Sequence, residues 1–170
     1  MRDLERTVDL AAVARVAARV ELKHVRLTEI SAKCDPNAPG PSLEPSVDLA
    51  CRLGEHDGSN LEVICHCKFV AQSKQLQAIE SGITYLLLYE ISGSGSPSVD
   101  DLAEFARTNG ALHSWPFLRE LLYGLTSRMG YPPYTLPVMH FKTAGESTAT
   151  AQNTESVPVG EEVETPKTTE

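Results

Sequence analysis

Two alternating apolar runs on either side of a short turn constrain the fold of this chain more than any other feature. Val47, Leu49, Cys51 and Leu53 form the first; Leu61, Val63, Cys65, Cys67, Phe69 and Ala71 form the second. Successive side chains on a strand point to opposite faces, so each run is a strand that buries one face. Between them His56-Asp57-Gly58-Ser59 is a turn signal, with Asp-Gly favouring a tight hairpin. ITYLLLYEI, residues 83–91, is apolar on both faces, as a strand covered on both sides must be. Residues 20–33 read as a further strand. Val20 and Leu22 alternate, the phase slips near His24, and Val25 and Leu27 resume it, which marks a bulge. The proline-rich run 35–46 is an irregular crossover loop, and AQSKQLQAIES, residues 71–81, is a polar turn with frayed strand ends.

The helical signals lie at the two ends of this strand region. In residues 1–19, Leu10, Val13, Ala14 and Ala17 follow helical spacing and predict a short amphipathic helix. SGSGSPS, residues 92–98, is a linker, and it lacks the third glycine of a phosphate loop. Ser98-Val-Asp-Asp101 resembles a capping box and opens a helix with inner face Leu102, Phe105 and Ala106; Asn109-Gly110 is expected to end it. A second helix is expected from Trp115, with Pro116 in its first turn. Its broad apolar arc holds Phe117, Leu118, Leu121, Leu122, Leu125 and Met129, and Gly130 and Pro132-Pro133 stop it. Strands followed by helices predict an α+β fold: a mostly antiparallel four-stranded sheet with helices on one face. The other, partly apolar face predicts oligomerisation. In the last strand one face should meet helices and the other a second subunit; Ile83, Tyr85, Leu87 and Tyr89 are assigned to that interface.

Composition excludes several function classes. At 170 residues the chain is one domain with a tail, and its net charge of −8 offers no phosphate-neutralising stripe for nucleic acid. No signal-like or membrane-spanning apolar run occurs, so the expectation is a cytoplasmic protein without membrane insertion. Thr143 to Glu170 is rich in Thr, Ser and Glu and reads as a disordered acidic tail. Cys65-His66-Cys67 alternates across a strand, and no second Cys/His pair stands at zinc spacing, so no metal is expected. His24, His56, His66, His113 and His140 are scattered, and no nucleophile elbow is present. No catalytic residue, cofactor or enzyme activity is expected.

More apolar surface remains than one small core needs. It serves either subunit burial or a groove for apolar polypeptide segments. The groove reading places Leu43 of the crossover loop, Trp115, Phe117 and Leu121 of the helix, and Tyr134 after the Pro-Pro turn along one channel. For Trp115, the only Trp, the competing reading is a staple that holds the helix start to the sheet.

From about Val20 to Phe141 the chain resembles the SecB family of export chaperones. The resemblance rests on Pro36-Asn37-Ala38-Pro39, on Pro45-x-Val47-x-Leu49 and on Pro116-Phe117-x-Arg119-Glu120. Thr126-x-Arg128 and Pro133-x-x-Leu136 with Phe141 complete it, in the same order as the elements. The chain is accordingly divided into residues 1–19, the N-terminal helix, 20–142, a SecB-like domain, and 143–170, the tail. The resemblance implies a homotetramer, a dimer of dimers, that holds unfolded or precursor polypeptides without ATP or metal and passes them to the SecA motor. The chain departs from the family pattern in three places. Leu43 is the only large apolar residue of its crossover loop, Ala71 to Gln77 carries Lys74 and no acid, and the chain is polar from Thr143. These departures point to a first alternative, a dedicated chaperone of an antitoxin in a toxin–antitoxin module. The second alternative is a non-chaperone oligomeric interaction protein.

Overall fold

A computed structural model of the chain describes residues 8–38, 42–93 and 95–139. The elements run α1 (Leu10–Ala17), β1 (Val20–Cys34), β2 (Glu44–His56), β3 (Asn60–Ser73), β4 (Leu76–Ile91) and α2 (Val99–Arg128). The strands form one antiparallel sheet in the order β1-β4-β3-β2, with both helices on the same side. The fold is therefore the expected α+β arrangement. The tail expected at 143–170 and the first seven residues of the expected N-terminal helix lie outside the described residues.

The core sits between the sheet and the helices. Leu61, Val63, Cys65, Cys67, Phe69 and Ala71 on β3 are all buried, as their alternation requires. On β4 the same face carries Ile79, Ile83, Tyr85, Leu87, Tyr89 and Ile91, all buried. This corrects the interface expectation. Ile83, Tyr85, Leu87 and Tyr89 stand directly opposite Cys67, Cys65, Val63 and Leu61. They are core residues of the helix side, because directly opposed residues in an antiparallel pair share a face. The other face of β4 carries Leu86 and Leu88, both half-buried, so any contact there with another subunit involves them.

The β3–β4 connection also differs from expectation. Residues 71–81 are not a polar turn: the two strands run on until only Lys74 and Gln75 remain between them. Both have positive φ, 48° and 66°. Two successive left-handed residues match the twist of a two-residue hairpin, and cross-strand pairing holds them there against their own preference. At the β2–β3 turn the expected Asp-Gly signal acts through Asp57. Its carboxylate accepts the Ser59 and Asn60 N–H groups at 2.7 Å each.

The largest departure lies in α2. Ser98 caps its start as expected, accepting the Asp101 N–H at 3.1 Å. Asn109-Gly110 does not end it, and the two expected helices are one helix of 30 residues. Gly110 faces the sheet: a methyl group there would come within 2.6 Å of Val63 Cγ1 and 3.1 Å of Cys51 Cβ. It is a glycine of close approach rather than a cap. Pro116 lies inside the helix, where it removes one backbone hydrogen bond. Burial of Gly110, Ser114, Leu118 and Leu122 on either side carries the helix across it. Gly130, with φ 82°, ends the helical region as expected.

α1 is turned from its expected orientation. Ala12, Val13 and Val16 are buried, whereas Leu10, Ala14 and Ala17 are exposed. Asp9 caps it through the Ala11 and Ala12 N–H groups, and Arg15 pairs with Asp101 of α2 at 2.7 Å.

Candidate functional site

β1 carries two register shifts, between Leu22 and His24 and between Leu27 and Glu29. Each extra residue moves the following side chains to the opposite face. As a result Leu22, Val25, Leu27 and Ile30 stand opposite Tyr89, Leu87, Tyr85 and Ile83, all on the helix side of the sheet. α2, however, packs mainly on β2 and β3, and β1 is covered chiefly by α1 near its beginning. Leu27 and Ile30 are left 44% and 45% exposed on a face that elsewhere forms the core. Sequence reasoning missed both. The signal was present, since two apolar residues three apart on a strand share a face only across a bulge.

α2 borders this strip. Phe117 is 40% exposed, and its ring lies 6.1 Å from that of Tyr85. The Tyr85 hydroxyl donates to the Phe117 carbonyl at 3.4 Å, and burial raises its pKa above the ordinary value. Leu121, one turn on, is half-buried and packs against the core. Phe117, the Tyr85 ring, Leu27 and Ile30 thus line an apolar border between α2 and β1.

The remaining expected groove residues lie elsewhere along the same side. Tyr134 stacks on Phe69 with ring centroids 5.3 Å apart. Leu43 packs on the core just before Glu44 pairs with Gln72, so it also sits toward the β3–β4 hairpin. Trp115 is half-buried, and its indole Nε1 donates to the Pro137 carbonyl at 2.8 Å. It ties down the extended segment 131–139 by this bond, while the residue also packs against the core. Leu136 of that segment is fully buried, and the Tyr134 N–H donates to Thr126 Oγ1 at 2.9 Å. A cavity of about 390 Å³ opens where the segment begins, lined by Cys34, Asp35, Pro36, Ala38, Met129, Gly130 and Tyr131.

A larger cavity, about 650 Å³, lies at the other end of the sheet. Its walls include Glu55, Asp57, Glu62, Glu90, Lys23, His24 and His56. An apolar segment entering it would desolvate those charges, which is costly, so the apolar border is the better site. Among the described residues no group of three or more His, Cys, Asp and Glu side chains could hold a metal ion. Cys65 and Cys67 point into the core, and His66 lies on the opposite face with its Nδ1 3.1 Å from Thr84 Oγ1. Among the described residues no helix is long and apolar enough to cross a membrane.

Comparison with known proteins agrees with this architecture. No family model matches the chain. The SecB-like chaperone Rv1957 of Mycobacterium tuberculosis strain H37Rv is 25% identical over 147 residues, covering 74% of this chain and 81% of that protein. The SecB-like chaperone MT2006 of Mycobacterium tuberculosis strain CDC 1551 gives the same figures. The solved structure of Rv1957 in complex with a ChAD peptide from the HigA1 antitoxin superposes with a TM-score of 0.70 at 24% identity. That superposition covers 76% of this chain and 96% of the other. The chain therefore has a SecB-like fold and is similar in sequence to SecB-like chaperones.

Proposed function

We propose that this protein is a molecular chaperone that holds an extended apolar polypeptide without nucleotide, and that its client is the antitoxin of a toxin–antitoxin module. The observation that carries the reading is the open apolar border formed by Leu27, Ile30 and Phe117. Large aliphatic and aromatic groups left exposed beside a core are what an extended apolar segment can cover. The sequence relatives are chaperones, and one SecB-like structure of the same fold holds an antitoxin peptide, which supports the choice of client. The crossover loop with Leu43 as its only large apolar residue and the acid-free β3–β4 turn favour the dedicated client over general precursor export through SecA. Assembly into a homotetramer belongs to the same proposal; β1 and β2 are the outer strands of the sheet, each with one unpaired backbone edge.

An aggregation assay tests the proposal. The full chain is mixed, without nucleotide, with a chemically unfolded antitoxin from the same genome or with an unrelated unfolded protein. Suppression confined to the antitoxin at stoichiometric ratio supports the dedicated reading. Equal suppression of both replaces it with a general holdase. Suppression of neither overturns the chaperone reading.

A further inference from the structure

Among the four cysteines, one pair is placed for chemistry that the chaperone reading does not use. Cys51 on β2 stands directly opposite Cys65 on β3. Directly opposed residues of an antiparallel pair have Cα atoms roughly 4.5–5.5 Å apart, inside the range that a disulfide spans. Cys67 has no such partner: it faces Leu49 on β2 and Ile83 on β4. Cys34 is exposed near the end of β1, opposite Ile79.

α2 closes over the pair. A methyl group at Gly110 would come within 3.1 Å of Cys51 Cβ and 3.2 Å of Cys65 Sγ. Ser114, one turn further on, is fully buried beside the pair, its hydroxyl donating to the Ala111 carbonyl at 3.2 Å. Cys65 is buried, while Cys51, on an outer strand of the sheet, is only half-buried and gives the pair an open side.

We propose that Cys51 and Cys65 are a site of oxidative modification, a cross-strand dithiol that a peroxide converts to a disulfide. The two thiols sit side by side across the β2–β3 ladder. Their interaction lowers the pKa of Cys65 and, together with burial, raises that of Cys51, so Cys65 is the attacking sulfur. The Cys65 sulfur attacks one peroxide oxygen, the O–O bond breaks, and the departing hydroxide takes the Cys65 proton and leaves as water. Cys51 sulfur then attacks the Cys65 sulfenic acid. The S–S bond forms, the S–O bond breaks, and a second water leaves with the Cys51 proton. Two thiols lose two electrons, and the peroxide is reduced to two waters. The product joins outer strand β2 to β3 covalently beneath α2.

The test uses the full native chain and hydrogen peroxide, followed by alkylation, digestion and mass spectrometry. A Cys34→Ser variant removes competing oxidation at the exposed thiol. The expected product is an intact chain lighter by two hydrogens, with Cys51 and Cys65 in one disulfide-linked peptide pair and Cys67 alkylated only after unfolding. Adding Cys51→Ser should abolish the mass loss. If that variant does not fold, peptide mapping of the Cys34→Ser protein decides alone. Reduced Cys51 and Cys65 in the folded, peroxide-treated protein would overturn the proposal, and so would a disulfide involving Cys67.

Discussion

Thr126 Oγ1 on α2 donates to the Leu122 carbonyl at 2.9 Å and accepts the Tyr134 N–H at 2.9 Å. This fully buried hydroxyl joins the end of the long helix to the strand-like segment that folds back along it. Thr126→Val keeps the shape and leaves the Tyr134 N–H unpaired. An unsatisfied buried donor costs about 1–3 kcal/mol. Urea denaturation of the variant should show a loss of that size. A loss near zero would mean that water reaches the Tyr134 amide.

Gly110→Ala tests the close approach directly. At an open interior position of the helix it would gain about 1 kcal/mol of helix propensity on becoming Ala. Because the methyl would meet Val63 Cγ1 at 2.6 Å, overpacking should prevail and destabilise the protein by about 1–3 kcal/mol. Denaturant midpoints of wild type and variant give the sign directly.

Leu27→Ala with Ile30→Ala tests the apolar border. Both side chains are nearly half exposed, so stability should change little. Client affinity, read by titrating the antitoxin in fluorescence anisotropy, should fall tenfold or more, the scale of interface anchors. Unchanged affinity would move the client off β1.

Lys74 and Gln75 hold left-handed backbone without being glycine. Replacing them with Asn-Gly, the preferred pair for such a turn, should stabilise the hairpin by about 1 kcal/mol. A rise in melting temperature checks this; a fall would show that their side chains contribute contacts of their own.

His113 introduces a pH dependence. Its Nδ1 lies 2.8 Å from the Tyr89 hydroxyl, and burial lowers its pKa below the ordinary 6.5. In the unfolded chain it takes up a proton near 6.5, whereas in the folded chain it stays neutral to lower pH. Its contribution to stability is therefore present above 6.5 and is lost as pH falls from there toward the folded value. Stability measured from pH 7.5 to 5.5 should fall less steeply in His113→Gln than in wild type. Parallel curves would exclude the group.

Much of the sheet was readable from local pattern. The alternation from Leu61 to Ala71 placed six inward residues of β3, missing only Ser73, and the phase slip near His24 located a bulge. What was missed depended on contacts distant in sequence. Gly110 reads as a stop signal until Val63 and Cys51 are seen beneath it, and Pro116 reads as a start until buried turns on both sides carry the helix through. The helix-facing side of β4 could not be told from the other because both sides are apolar, and its assignment depends on where α2 crosses. Of the expected groove residues, Phe117 and Leu121 border the open strip, while Tyr134 and Leu43 lie toward the hairpin. Trp115 holds Pro137. Leu27 and Ile30 went unseen because the second bulge was overlooked.

The strand order carries a consequence for how this protein is made. β1 pairs with β4 and not with β2, so Val20 must wait for Ile91 and Cys34 for Ile79. Translation adds roughly 5–20 residues per second, so β1 emerges several seconds before its partner exists. During that interval the hairpin of β2 and β3 can form locally, while Leu22, Val25, Leu27 and Ile30 remain without a neighbouring strand. Closing the sheet is then a late, long-range event, slow by the measure of sequence separation. While it is being synthesised, this protein itself exposes the kind of extended apolar segment that it is proposed to hold in others.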